Sequence, residues 1–213
     1  MTQAEFLAAM MLGAREAQAA GAPIHPQGAA AHAANETGYG SSALGKAPHH
    51  NLFGVKATGQ HTPYWTGGSV RMQTWEVIDG RDHRVDADFR TYRTYADAFG
   101  DYGDIIRRVY PHAATAQRDV VFLAGLFLTG PRRWATDPRA FDKAARILAQ
   151  HSDVLYDAEA NVDGEPHDAS VVVLEGFPLA HRWATLVREP VALRGAFKWR
   201  ARGEKLDVRA VRE

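Results

Sequence analysis

Apolar residues recur at helical spacing near the N-terminus, alternate with polar ones between positions 69 and 92, and then return to helical spacing. Residues 3–20 predict an amphipathic helix, opened by Thr2 and Glu5 as a capping box and ended by Gly21-Ala22-Pro23. Pro26 suits the first turn of a second helix running to Thr37 and stopped by Gly38. Residues 41–52 predict a short helix and a loop. Val70, Met72, Thr74, Glu76 and Ile78 then alternate with Arg71, Gln73, Trp75 and Val77, the period of a strand. Asp79-Gly80 marks a two-residue hairpin turn, with a return strand over 81–92. Helical spacing resumes at Thr94, where Asp97 completes a capping signal, and runs to Val109. Further helices are expected over 119–128 and from an Asp137-Pro138 start to His151.

After Tyr156 the pattern changes again. Residues 157–169 are acidic, polar and Pro/Gly-containing, as a linker is. Residues 170–213 hold short β-prone runs at 171–174, 183–187, 191–193, 196–201 and 206–211. The expected organisation is therefore a mixed α+β domain over 1–156, a linker over 157–169 and a small β-rich module over 170–213.

Composition narrows the function by exclusion. Lys+Arg and Asp+Glu stand at 25 each in 213 residues, so zero formal charge gives no bulk attraction to nucleic acid. There is no cysteine, which removes disulfides and thiolate metal sites. His25, His32, His49, His50, His61 and His83 show neither His-x-x-x-His nor His-Glu-x-x-His spacing, so neither metal nor cofactor is expected. No run approaches the roughly 18 apolar residues of a membrane span. Glu5 comes early and no Lys or Arg precedes Arg15, unlike a secretory signal. Synthesis in the cytoplasm without Sec-type export is the expectation.

One carboxylate stands apart. Glu36 lies where an almost uncharged, Ala-rich helix runs into the turn Thr-Gly-Tyr-Gly, and the helix face around it is expected to be packed. Burial of such a carboxyl favours its protonated form, as a group that delivers a proton to a sugar oxygen requires. Small Gly38 and Gly40 would leave room for a bulky substrate. Glu76, beside Trp75 and before the hairpin turn, is the second candidate; the competing explanation is an exposed strand position paired with Arg81 or Arg84. Glycosidic cleavage normally uses two carboxyl groups. Asn51, Phe53 and Lys56 either line a sugar site or, for Phe53 and its apolar neighbours, form core. Tyr64, Trp65, Trp75, Tyr92, Tyr95 and Trp134 are candidate stacking platforms.

The segments Glu36-Thr-Gly-Tyr-Gly-Ser-Ser-Ala-Leu and His50-Asn-Leu-Phe-Gly-Val-Lys56 resemble the signature of glucosaminidase-type peptidoglycan hydrolases, glycoside hydrolase family 73. The resemblance continues through Thr74-Trp-Glu76, Asp79-Gly80, Phe89-Arg-Thr-Tyr92, Ala98-Phe-Gly-Asp-Tyr102 and Trp134-Ala-Thr-Asp-Pro138. It implies a lysozyme-like fold, a mainly helical lobe facing a β-hairpin lobe across a cleft. It implies Glu36 as general acid, Glu76 as base or electrostatic stabiliser, and peptidoglycan glycan strands as substrate. Tyr39 stands where such proteins usually have Trp, His50 where they have Asn, and Trp134 where they often have Tyr. In such proteins that tyrosine is credited with helping to position the substrate N-acetyl group or water, so either Tyr92 or Tyr102 takes that part or catalysis is tuned differently.

The activity expected is cleavage of the β-1,4 bond between N-acetylglucosamine and N-acetylmuramic acid by a monomer. It would act on the wall after holin-type or apparatus-mediated release. Two alternatives stay open: a lytic transglycosylase of the same fold, and a non-catalytic wall-binding assembly protein. The basic tail (Arg182, Arg188, Arg194, Lys198, Arg200, Arg202, Lys205, Arg209, Arg212) suits either anionic wall polymers or an ordinary solvated rim.

Overall fold

Helix α1 spans Gln3–Ala19, and its start carries the reciprocal cap expected of Thr2 and Glu5. The Glu5 amide donates to Thr2 Oγ1 and the Thr2 amide to Glu5 Oε2, at 3.2 and 2.7 Å. In the computed structural model, residues 1–156 are described apart from Gln60, Gly130, Pro131 and Thr136, with the backbone alone at 76–78 and 82. Beyond them the description covers the backbone of four strands, β3 (Ala169–Leu174), β4 (Trp183–Arg188), β5 (Ala196–Arg202) and β6 (Lys205–Val211). The expected run at 191–193 and the linker positions 157–168 lie outside the described residues.

The chain divides into two units, Met1–Trp134 and Ala135–Glu213. In the first, α1 packs on α2 (Pro26–Thr37) and on α3 (Tyr95–Val109), while α5 (Asp119–Phe127) packs on α2. Helix α2 is the innermost: all of its residues from Pro26 to Ala34, and Thr37, are buried. Its small side chains permit this. A Cβ on Gly28 would meet Phe122 Cδ1 at 3.0 Å and the Asp119 carbonyl at 3.1 Å, so α5 approaches there as closely as backbone allows. A one-turn helix, α4 (Pro111–Ala114), links α3 to α5 and is not signalled by any apolar period.

Between α2 and α3 the chain forms an antiparallel hairpin, β1 (Ser69–Ile78) with β2 (Arg81–Arg90). Asp79 and Gly80 both take positive φ, 51° and 75°, as the tight hairpin turn demands. Val70, Met72 and Thr74 are half-buried and face Phe89, Ala87 and Val85, whereas Arg71, Gln73 and Trp75 are exposed. Two-strand hairpins are marginal by themselves, so the base of this one needs anchoring.

The anchor is a buried ion pair. Arg90, the last residue of β2, is 6% exposed at its side chain and Asp101 of α3 is 0% exposed. Arg90 Nη1 lies 2.9 Å from both carboxylate oxygens, Nη2 donates to the Thr58 carbonyl at 2.6 Å, and Nε to the Lys56 carbonyl at 3.2 Å. The carboxylate also accepts from Tyr92 Oη at 2.6 Å and Thr62 Oγ1 at 2.8 Å. The guanidinium sits 4.0 Å over the Trp65 ring. Each charge thus meets its partners, the condition for a buried pair to hold a structure rather than strain it.

The structure corrects three sequence expectations. Residues 41–50 form consecutive turns and no helix. Ser41 Oγ donates to the Thr37 carbonyl at 3.0 Å in place of a helical pattern, and Pro48 disfavours helical geometry at Ala47. Strand β2 stops at Arg90, two residues short: its partner strand opens at Ser69 opposite Arg90, and the Tyr92 amide donates to the His49 carbonyl at 2.9 Å. In the second unit α6 spans Ala140–Gln150, and Asp137 is not its N-cap. Asp137 instead accepts from the Arg139 amide at 2.9 Å and from Lys143 Nζ at 2.7 Å. The buried Ala140, Phe141, Ala144, Ala145, Ile147 and Leu148 form the apolar stripe of this expected helix.

Removing Asp101 alone leaves a buried guanidinium. Asp101→Leu is expected to destabilise the protein by about 3–5 kcal/mol in urea unfolding, and adding Arg90→Met to recover part of that loss. A single-variant loss below roughly 0.5 kcal/mol, the range of an ordinary surface change, would remove the anchor from this account.

Candidate active site

Glu36 sits in the last turn of α2, and the structure places its surroundings residue by residue. The helix around it is packed as expected, but Glu36 itself stays reachable, with its side chain 26% exposed. One turn earlier on the same face lies His32, which is 0% exposed. His32 Nε2 is 3.3 Å from Glu36 Oε1, and His32 Nδ1 is 2.8 Å from the Tyr102 hydroxyl. Tyr102 projects from α3 and is fully buried. Burial first, then the charge of Glu36 and the neighbouring Tyr110, push the Tyr102 hydroxyl well above the usual phenol range.

Aromatic rings close around this chain of hydrogen bonds. Phe53 stacks on Tyr102 with centroids 3.9 Å apart and planes 7° from parallel. Trp134 meets His32 edge-on at 5.0 Å and Tyr102 at 5.2 Å, and Phe127 meets His32 at 4.9 Å. The Trp134 amide donates to the Leu126 carbonyl at 2.9 Å, which fixes its place after α5. Tyr110 lies 5.5 Å from the Trp134 ring and is half-buried; burial raises its hydroxyl above the ordinary range, with nearby Arg132 opposing.

After Glu36 the backbone turns left-handed at three successive residues, Gly38, Tyr39 and Gly40, with φ of 56°, 54° and 73°. The two glycines therefore serve the turn itself, not room for a substrate. A Cβ on Gly38 would meet Ser41 Oγ at 2.7 Å, and one on Gly40 would meet the Phe6 ring at 2.7 Å. Tyr39, the non-glycine of the three, is half-buried with its ring edge against Phe6 at 6.3 Å.

The other candidates divide by burial. Asn51 is spent inside the protein: its amide donates to the Val55 and Arg90 carbonyls, and its Oδ1 accepts from the Val55 amide. Phe53 and Tyr102 are buried in the ring cluster. Tyr92 is 4% exposed and its hydroxyl donates to Asp101; burial, then the Asp101 charge, push it far above the ordinary range. It is therefore not available as a replacement hydroxyl at Trp134, and the Tyr102 hydroxyl, though its ring touches Trp134, is buried and held by His32. Trp65 is covered by Arg90. Lys56 is exposed, as is Trp75, 66% exposed on the hairpin. The register puts His83, not Arg81 or Arg84, opposite Glu76, whose side chain lies outside the described residues.

The sequence analysis weighed His32 only as a metal ligand and passed over Tyr110 and the Arg90–Asp101 pair. His32 carried a usable signal, since it stands four residues before Glu36 on one helix face. No comparable spacing marks the pair or Tyr110, because their partners lie on different elements.

The Glucosaminidase family model, described as mannosyl-glycoprotein endo-beta-N-acetylglucosaminidase, matches residues 13–155. An autolysin of Enterococcus faecalis is 32% identical over 143 residues, 62% of this chain and 18% of the relative. Peptidoglycan hydrolase FlgJ of Salmonella typhimurium is 33% identical over 155 residues, 68% of this chain and 45% of the relative. The chain thus spans less than half the length of these relatives. The crystal structure of the catalytic domain of the autolysin Auto from Listeria monocytogenes superposes with a TM-score of 0.60 at 28% identity, covering 73% of this chain and 87% of that one. With its helices, its antiparallel hairpin and the match across 13–155, the chain belongs to the Glucosaminidase family of glycoside hydrolases.

Proposed function

We propose that the chain is a peptidoglycan hydrolase that cleaves the β-1,4 bond between N-acetylglucosamine and N-acetylmuramic acid, with Glu36 as general acid. The observation that carries this reading is the placement of Glu36: an accessible carboxyl at the end of a buried helix, one oxygen held from inside by His32. Family membership and the names of the relatives, an autolysin and a peptidoglycan hydrolase, support the substrate. In the proposed reaction Glu36 protonates the departing glycosidic oxygen as positive charge develops on the sugar ring. Glu76 activates water or stabilises that charge from the hairpin. The exposed Trp75 offers a flat apolar face to a sugar ring, and Tyr39 and Lys56 flank the bound strand.

Glu36→Gln keeps the size of the side chain and removes the acid. Clearing of purified cell walls is expected to fall by about 10²-fold or more at unchanged thermal stability. Unchanged clearing would overturn the catalytic reading and leave a wall-binding protein. Borohydride reduction of the digest is expected to label N-acetylglucosamine at the new reducing ends; labelled muramic acid would replace this bond assignment with a muramidase, and unreduced anhydro-muramic ends seen by mass spectrometry would replace it with a transglycosylase. Trp75→Ala is expected to raise KM for soluble glycan strands severalfold, about the effect of one lost stacking contact, with kcat little changed.

A further inference from the structure

The His32 ring links the buried core to the accessible carboxyl, and hydrogen-bond accounting fixes where its proton lies. Tyr102 is fully buried, and among the described residues its hydroxyl has one hydrogen-bond partner, His32 Nδ1 at 2.8 Å. If Nδ1 carried the ring hydrogen, the phenolic hydrogen would be buried with no acceptor, a state native interiors avoid. The hydroxyl therefore donates to Nδ1, and the ring hydrogen sits on Nε2, facing Glu36 Oε1 at 3.3 Å. The Tyr102 hydroxyl stays protonated throughout working pH, since burial and the Glu36 charge both hold its proton in place.

We infer that His32 is a positioning residue for Glu36: Tyr102 sets its tautomer, and its Nε2 hydrogen claims Oε1 so that the transferable proton rides on Oε2. This rests on Glu36 being the general acid. Oε1, already accepting from the imidazole, is the poorer place for the carboxyl hydrogen, so the outward oxygen carries it. When Oε2 gives its proton to the glycosidic oxygen, the carboxylate left behind keeps the Nε2–H bond, which strengthens as charge appears. The 3.3 Å separation is long for such a bond, and shortening on proton transfer suits a contact made mainly in the transition state. Among the described residues, the titratable groups facing His32 are Glu36 on its own helix and Tyr102 on α3, with Tyr110 beyond Trp134 and Arg132 beside Tyr110. Phe53, Phe127 and Trp134 complete the ring and carry no charge.

The test compares pH–rate profiles of wall hydrolysis for the wild type, His32→Leu, His32→Gln and Tyr102→Phe, each with its melting temperature. A general acid loses activity as pH rises and its proton leaves. Without the Nε2 donor the carboxylate is less favoured, so the alkaline limb of the His32→Leu profile moves upward. Its kcat falls by about tenfold or more, the effect of one lost charge-assisted hydrogen bond, with KM unchanged. His32→Gln, whose amide again offers a donor, recovers most of both. Tyr102→Phe keeps the stack on Phe53 but frees the tautomer, and its kcat falls severalfold. Superimposable profiles for folded variants, or activity that follows melting temperature with Gln no better than Leu, would overturn the assignment. If His32→Leu does not fold, Tyr102→Phe decides by the same criteria. Glu36→Gln separates the two readings: its retained activity sinks the general acid itself, while its inactivity beside unshifted profiles sinks only the role of His32.

Discussion

The buried pair of Arg90 and Asp101 is the constraint on which the first unit depends. A projecting two-stranded hairpin cannot stabilise itself, and the pair ties its base to α3 through bonds that satisfy both charges. The guanidinium also holds the Lys56 and Thr58 carbonyls, so the loop that follows Phe53 is fixed by the same group. Asn51 fastens that loop from the other end by accepting from Val55 and donating to the Arg90 carbonyl. Loop, strand end and helix are therefore tied to one another through a single buried group.

Helix α3 serves two sides through consecutive residues. Asp101 reaches the hairpin base, and Tyr102 reaches His32 on α2 and through it Glu36. Neighbouring positions on a helix lie about 100° apart, so one helix can address two elements without distortion. The consequence for function is mechanical precision. The proposed acid is held by a buried ring, that ring by a buried hydroxyl, and the helix bearing the hydroxyl by the ion pair that seats the hairpin.

Much of this was legible in the chain because it is local. The cap at Thr2 and Glu5, the stop at Gly38, and the hairpin turn at Asp79-Gly80 each depend on residues a few positions apart. Alternation from Val70 to Trp75 reported one half-covered and one open face. What escaped depends on distance along the chain. Asn51, Tyr92 and Tyr102 looked like groups for a sugar because polar aromatics and amides suit that work, yet their polar atoms are used internally by partners that no spacing announces. The glycines after Glu36 invited a substrate, whereas a left-handed turn and the Phe6 ring explain them. His32 was visible only as one of several histidines, and its neighbour four residues on gives it meaning.

The central claim is that Glu36 is the proton donor, poised from within by the core. Its most direct measurement is a carbon-13 NMR titration of the Glu36 carboxyl, run beside the pH dependence of wall hydrolysis by the same protein. The account predicts that the carboxyl titrates at the pH where the alkaline limb of activity falls. A Glu36 carboxyl already deprotonated across the whole active range would contradict it.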